Sequence, residues 1–204
     1  MLSAAQQSLE RLSPELLARI EASRRIVLLA NNPAITREHI DALALGPDDL
    51  VVSFNKCRNR ALLRRQLHNL FIHRHNYRKG GYFGFPYKGW LRLFPWFNQR
   101  FHSVLLGGDA DSLPESHRGV SFLPLRQPFP ALEGYPYEML PTRGGPSTGF
   151  YAVAFFDYVK RLKQADYEIV LVGFSDEGGS FWDGHAWDFE REWTRSSGVT
   201  VIKL

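Results

Sequence analysis

The sequence predicts an α/β fold with a mainly parallel central sheet and helices on both of its faces. Three observations carry that prediction. Fully apolar runs of strand length, RIVLLA at 25–30, LVVSF at 50–54 and EIVLV at 168–172, read as strands buried on both sides, as parallel strands are. Helical stretches fall between the strands, the alternation that a covered parallel sheet requires. The 204 residues, 44% hydrophobic and 23% charged, suit one domain over 1–204 that buries about 70% of its extended-chain surface.

In order, Leu9, Leu12, Leu16, Leu17 and Ile20 share one face of a helix over Ser3 to Ala22, with Ser13-Pro14 as a restart point. The first strand ends at the turn Asn31-Asn32-Pro33, and Thr36 caps a helix reaching about Ala44. The second strand ends at Asn55. Shorter strands are expected over Asn69–His73 and Ser103–Leu106. Between them, His75 to Arg100 is rich in Gly, Pro and aromatics without sustained period, a long loop of the functional or mobile kind. Ser147 and Thr148 start a helix over Tyr151–Leu162; then follow the strand Glu168–Val172, a helix over Trp187–Arg195 and a strand over Val199–Ile202. Ligands of such sheets sit beyond the carboxyl ends of the strands, which draws attention to Asn31, Asn55 and Gly173.

The net charge of +4 hides its distribution. From Leu50 to Gly108 there are 11 Lys or Arg and no Asp or Glu, while the rest of the chain holds 14 basic and 21 acidic residues. The same block carries 12 of the 28 aromatics. A basic, aromatic insertion at about 74–102 therefore sits in an acidic protein, which implies an anionic partner: nucleic acid, a lipid headgroup or a phosphorylated substrate. The lone Cys57 forms no internal disulfide, the charged first twenty residues are unlike a signal peptide, and no apolar run approaches a bilayer span. The expectation is a soluble cytoplasmic protein.

Four clusters carry possible chemistry. Asn31-Asn32, with Asn55, offers amides for a nucleotide's ribose or phosphate, or is simply turn chemistry. Thr142 to Gly149 (TRGGPSTG) sets two glycines, Pro146 and the hydroxyls of Ser147 and Thr148 before a long helix. That is an anion site or an ordinary capped helix start, without the Lys of a P-loop or the spacing of a dinucleotide fingerprint. In WDGHAWDFEREW, His185 is followed five residues on by Glu190, with Asp183 and Asp188 close by; a carboxylate beside His185 would favour its imidazolium and make it a general base, or Asp183 merely caps a surface helix. Asp109 and Asp111 after SVLLGG have the makings of a divalent-cation site or of a turn.

Taken in order, Ala30-Asn31-Asn32 with Asn55, then Pro146-Ser147-Thr148-Gly149 with Gly173-Phe174, then His185 with Glu190, the chain resembles the sialyltransferase family that uses CMP-activated sugars. The resemblance spans roughly residues 25 to 202 and implies a Rossmann-like, GT-A-type nucleotide-binding domain. It implies that Asn31, Asn32, Asn55, Ser147, Thr148 and Gly149 face the CMP-sugar donor, that His185 is the catalytic base and Glu190 its companion, and that no metal or other cofactor takes part. The chain departs from the family where Ser53 replaces an arginine, in lacking paired cysteines, and in lacking a His-Tyr element, for which Arg143 or Tyr151 would substitute.

The function so expected is inverting transfer of sialic acid or Kdo from a CMP-sugar to a glycan or glycolipid. The basic block, through Arg74, Arg78, Lys79, Lys88, Trp90, Arg92 and Trp96, would form the surface toward an anionic acceptor such as a lipopolysaccharide core, or toward the inner face of a membrane. Two other readings stand beside it: a nucleic-acid-binding module built on the basic block, and a metal-dependent nucleotide-sugar transferase using Asp109 and Asp111.

Overall fold

The computed structural model describes residues 9–63, 67–85, 101–108, 120–124, 129–141, 144–174 and 182–204. Its centre is a seven-stranded, wholly parallel sheet of Rossmann-like α/β character. The strands are β1 (Arg25–Leu29), β2 (Asp49–Phe54), β3 (His68–Arg74), β4 (Phe101–Leu106), β5 (Val120–Leu123), β6 (Glu168–Val172) and β7 (Thr200–Ile202). Their order in the sheet is β5-β4-β3-β2-β1-β6-β7, with every pair parallel. The chain starts in the middle, walks outward to β5 and returns to lay β6 on the other side of β1. The direction of winding thus reverses between β1 and β6.

Alternation along each strand divides its side chains between two layers. Ile26, Leu28, Leu50, Val52, Leu70, Ile72, Ile169 and Leu171 pack on one face against helix α1 (Pro14–Glu21) and helix α3 (Thr148–Lys163). Val27, Leu29, Val51, Val170 and Val172 pack on the other against Ile35, Ile40 and Leu43 around helix α2 (Arg37–Ala42). Both faces are covered, as the continuous apolar runs demand. Each fully buried Leu, Ile, Val or Phe contributes about 1.5–3 kcal/mol, so the long face carries most of the stabilisation. Helix α4 (Trp187–Ser196) adds Phe189 and Trp193 to that same layer.

The local signals explain the boundaries. Ser13 Oγ accepts from the Leu16 N–H at 3.2 Å with Pro14 opening α1, which makes Ser13-Pro14 a true helix start. Thr36 caps α2, and His39 closes the reciprocal bond to the Thr36 N–H. Ser147 Oγ accepts from the Phe150 N–H at 3.1 Å and caps α3. Asp183 is not the cap of α4: Ala186 holds that position, with no side-chain cap. Strand β5 escaped the sequence reading because VSFL is four residues long and is recognisable only once paired in register beside β4.

At the amino edge of the sheet, away from the strand ends of interest, Arg25 grips the buried Asp49 through Nε (2.9 Å) and Nη2 (2.7 Å). Burial alone would raise the Asp49 carboxyl. The Arg25 fork, the Gly46 N–H and the Arg24 charge outweigh it and hold that carboxyl below its ordinary value.

Candidate functional site

The carboxyl edge of the sheet gathers the segments that the sequence singled out. Asn55 follows β2 in a left-handed conformation (φ 55°), and its Oδ1 accepts from the Arg74 N–H at the end of β3 (2.9 Å). The Arg74 guanidinium reaches across and donates from Nη1 to the Pro146 carbonyl at 2.6 Å. The Gly145 N–H donates to the Gly184 carbonyl (2.9 Å), and the Gly145 carbonyl takes the His185 Nδ1–H at 2.6 Å. The Ser147 N–H donates to Glu190 Oε1 (2.8 Å). A continuous hydrogen-bonded path thus joins residues 55, 74, 145–147, 184–185 and 190.

His185 and Glu190 lie on this path but do not pair. Glu190 Oε1 accepts from the Tyr135 hydroxyl (2.9 Å) as well as from Ser147, and Tyr135 in turn accepts from the Ala186 N–H (3.0 Å). Among the described residues Glu190 therefore gives His185 no direct carboxylate support, because the helix start of α3 and Tyr135 occupy it. Asp188 is engaged with Arg191 at 2.6 Å instead.

A carbonyl only accepts, so the bond to Gly145 puts the proton of neutral His185 on Nδ1 and the lone pair on Nε2. Burial, with the Arg74 charge, pushes the His185 imidazole below its ordinary pKa, so the ring is neutral at pH 7. Trp182 and Trp187 stand edge-on to the ring at 4.6 and 5.0 Å. Burial raises the Glu190 carboxyl, while Ser147, Tyr135 and Arg74 pull it back. A neutral imidazole with one fixed nitrogen is suited to accepting a proton.

The other expected donor contacts are placed differently from one another. Asn31 donates to the Phe54 carbonyl (3.0 Å) and accepts from the Arg58 N–H (2.9 Å). Asn32 donates to the Gly173 carbonyl (3.1 Å), bridging the β1–β6 reversal, and accepts from the Ala34 N–H (2.9 Å). Both amides therefore act as loop clamps. Thr148 is buried in the first turn of α3, and Gly149 lies where a Cβ would meet the Phe174 ring at 2.5 Å. The two glycines before Ser147 are not left-handed; a Cβ on Gly144 would stand 2.5 Å from Leu140 Cβ, so close approach explains that residue.

The basic block divides. Arg78 and Lys79 are exposed on a turn closed by Asn76, whose N–H donates to the Gly81 carbonyl and whose Oδ1 accepts from the Arg78 N–H. Arg74, expected on the same acceptor surface, instead turns into the path beside His185. The loop 75–85 folds back over β3 and β4: Tyr82 donates to the Gly107 carbonyl (2.9 Å), and the Gly108 N–H donates to the Tyr77 hydroxyl (3.2 Å). A Cβ on Gly84 (φ 78°) would collide with the Asn55 carbonyl. Lys88, Trp90, Arg92, Trp96, Asp109, Asp111 and Arg143 lie outside the described residues. Tyr151 donates to the Pro124 carbonyl at 2.8 Å, away from His185's partners. Among the described residues no group of three or more His, Cys, Asp or Glu is arranged to hold a metal ion.

Tyr135 is a residue of this arrangement that the sequence did not single out, and Trp182 and Trp187 stand in the segment WDGHAWDFEREW without a role assigned from sequence. Tyr135 lies in a proline-punctuated stretch, PALEGYPYEML, that offers no period and no motif. Comparison with family models, curated proteins and solved structures yields no match for this chain.

Proposed function

We propose that the protein is an inverting glycosyltransferase that moves sialic acid or Kdo from a CMP-sugar to a glycan or glycolipid acceptor, with His185 as the base. The convergence of the three motif segments supports this reading. Residues 55, 145–149 and 185–190 are far apart in sequence, yet hydrogen bonds through Arg74 and Gly145 join them at the carboxyl edge of a parallel sheet. Ligands of such folds bind at that edge.

In this reading the donor lies against residues 145–149. Asn31 and Asn32 shape its wall through the loops they clamp, and Asn55 does so through Arg74. His185 Nε2 takes the acceptor hydroxyl proton as that oxygen bonds to the anomeric carbon. The bond from that carbon to the phosphate oxygen breaks, and CMP leaves with the electron pair. Glu190 positions the base by holding the start of α3 and, through Tyr135, the Ala186 N–H next to His185.

Two measurements test the reading together. CMP and CMP-sugars are expected to raise the thermal midpoint selectively over UDP and GDP, since a ligand of the native state stabilises it by mass action. His185→Ala is expected to lower turnover by about 10²–10⁴-fold with donor affinity retained. Equal response to all three nucleotides would remove the donor assignment, and near-wild-type turnover would remove His185 as base.

A further inference from the structure

We propose that Arg74 binds an oxyanion of the ligand directly beside His185; the identity of that anion as the donor's phosphate rests on the function proposed above, whereas the site itself does not. Arginine presents five N–H donors in a planar fork that matches a phosphate or carboxylate. Of Arg74's donors, Nη1 is spent on the Pro146 carbonyl, and no carboxylate stands within ion-pair distance among the described residues. The contrast with Arg25, whose fork closes on Asp49, is direct. The nearby acid, Glu190, acts on Arg74 only through space, because its Oε1 is held by Ser147 and Tyr135.

The placement is specific. A Cβ built on Gly145 would lie 3.9 Å from Arg74 Nη2, and the carbonyl of that same residue holds His185 Nδ1. Guanidinium and imidazole therefore flank one peptide segment, 145–146. Arg74 keeps partial exposure to solvent, the route by which a ligand would reach its remaining N–H groups. Burial withdraws water from the guanidinium, and the through-space charge of Glu190 does not outweigh that loss; a bound oxyanion would supply a direct counter-charge. An anion there would also offset the positive field that Arg74 exerts on His185. The base would then become stronger when the ligand is in place.

Calorimetry on the full chain with inorganic phosphate, cytidine, CMP and CMP-sialic acid tests this for the wild type, Arg74→Gln and Arg74→Lys. We expect Arg74→Gln to weaken CMP and phosphate at least tenfold with cytidine unchanged, and Arg74→Lys to recover part of the loss, because it keeps the charge but not the fork. A loss confined to CMP-sialic acid would support the site with the sugar carboxylate as its anion. Phosphate bound through Arg74 with no response to any cytidine ligand would support the site and refute the CMP-donor reading. Unchanged binding of all four ligands in Arg74→Gln, or no anion bound by the wild type, would overturn the proposal. If Arg74→Gln does not fold, the wild type still decides: phosphate or CMP must shift the His185 imidazole titration upward by NMR, and an unmoved titration would overturn it.

Discussion

At the scale of single residues, the pKa values trace how the fold uses its histidines. His73 is fully buried on β3, with Nδ1 held by the Phe83 carbonyl at 2.8 Å. Burial pushes its imidazole down to about 4, against the raising effect of the Phe83 and Asn55 carbonyls. Between pH 6.5 and about 4 the unfolded chain therefore takes up a proton that the folded chain refuses. The stability from His73 is complete above about pH 6.5 and is lost as pH falls. Between pH 7 and 5 this loss amounts to about 2 kcal/mol. His185 and His102, also lowered by burial, act in the same direction. Urea denaturation at pH 7, 6 and 5 measures the loss, and NMR should find the His73 ring neutral at pH 5. A stability that does not change across this window would contradict the assignment.

At the scale of elements, Glu190 is the tie between α3 and α4. One carboxylate oxygen holds the Ser147 N–H before α3, and Tyr135 carries the connection to the Ala186 N–H at the start of α4. Removing that acceptor leaves buried donors unpaired, at about 1–3 kcal/mol each. Glu190→Ala should therefore lower both stability and turnover, whereas Glu190→Gln, which keeps an oxygen acceptor, should recover most of the stability. Thermal midpoints of the two variants give the comparison, and equal loss in both would show that the ionised carboxylate itself is required. Because burial raises the Glu190 carboxyl, its contribution to stability falls as pH rises. Glu190→Gln should consequently steepen the acid-side loss assigned to His73.

At the scale of the whole molecule, the charge asymmetry acquires a position. The basic block supplies β3 and β4 and the loop 75–85 over their carboxyl ends, on the edge that carries the candidate site. Arg78 and Lys79 are exposed at a turn, with Tyr77 (52% exposed) and Phe83 (37%) beside them in the same loop. Among the described residues no helix is long and apolar enough to cross a membrane. If this surface meets an anionic acceptor or lipid face, flotation with vesicles containing anionic lipid should recover the protein, and the double variant Arg78→Glu, Lys79→Glu should reduce the recovery. Equal recovery with neutral vesicles would remove the electrostatic basis of the surface.

Much of the fold was legible because short-range rules govern it. Apolar runs such as IVLL and EIVLV are short, rich in β-branched residues and bounded by turn signals, which favours a strand covered on both sides, and Ser13-Pro14, Thr36 and Ser147 carry their capping chemistry within three residues. The edge strand β5 was not legible, since four residues become a strand only through a neighbour. The same distinction runs through the site. His185, Glu190 and the segment 144–149 are visible as residue types at a spacing. Their relationships are tertiary: Glu190 bonds Ser147 and Tyr135 rather than His185, Asn31 and Asn32 spend their amides on loops, and Arg74 leaves the basic surface for the Pro146 carbonyl. The sequence by itself determined the covered parallel sheet and the set of chemical groups at its carboxyl edge. Only the tertiary structure decided which of those groups meet, because a hydrogen bond between residues 74 and 146 depends on where two strand ends and a helix start converge.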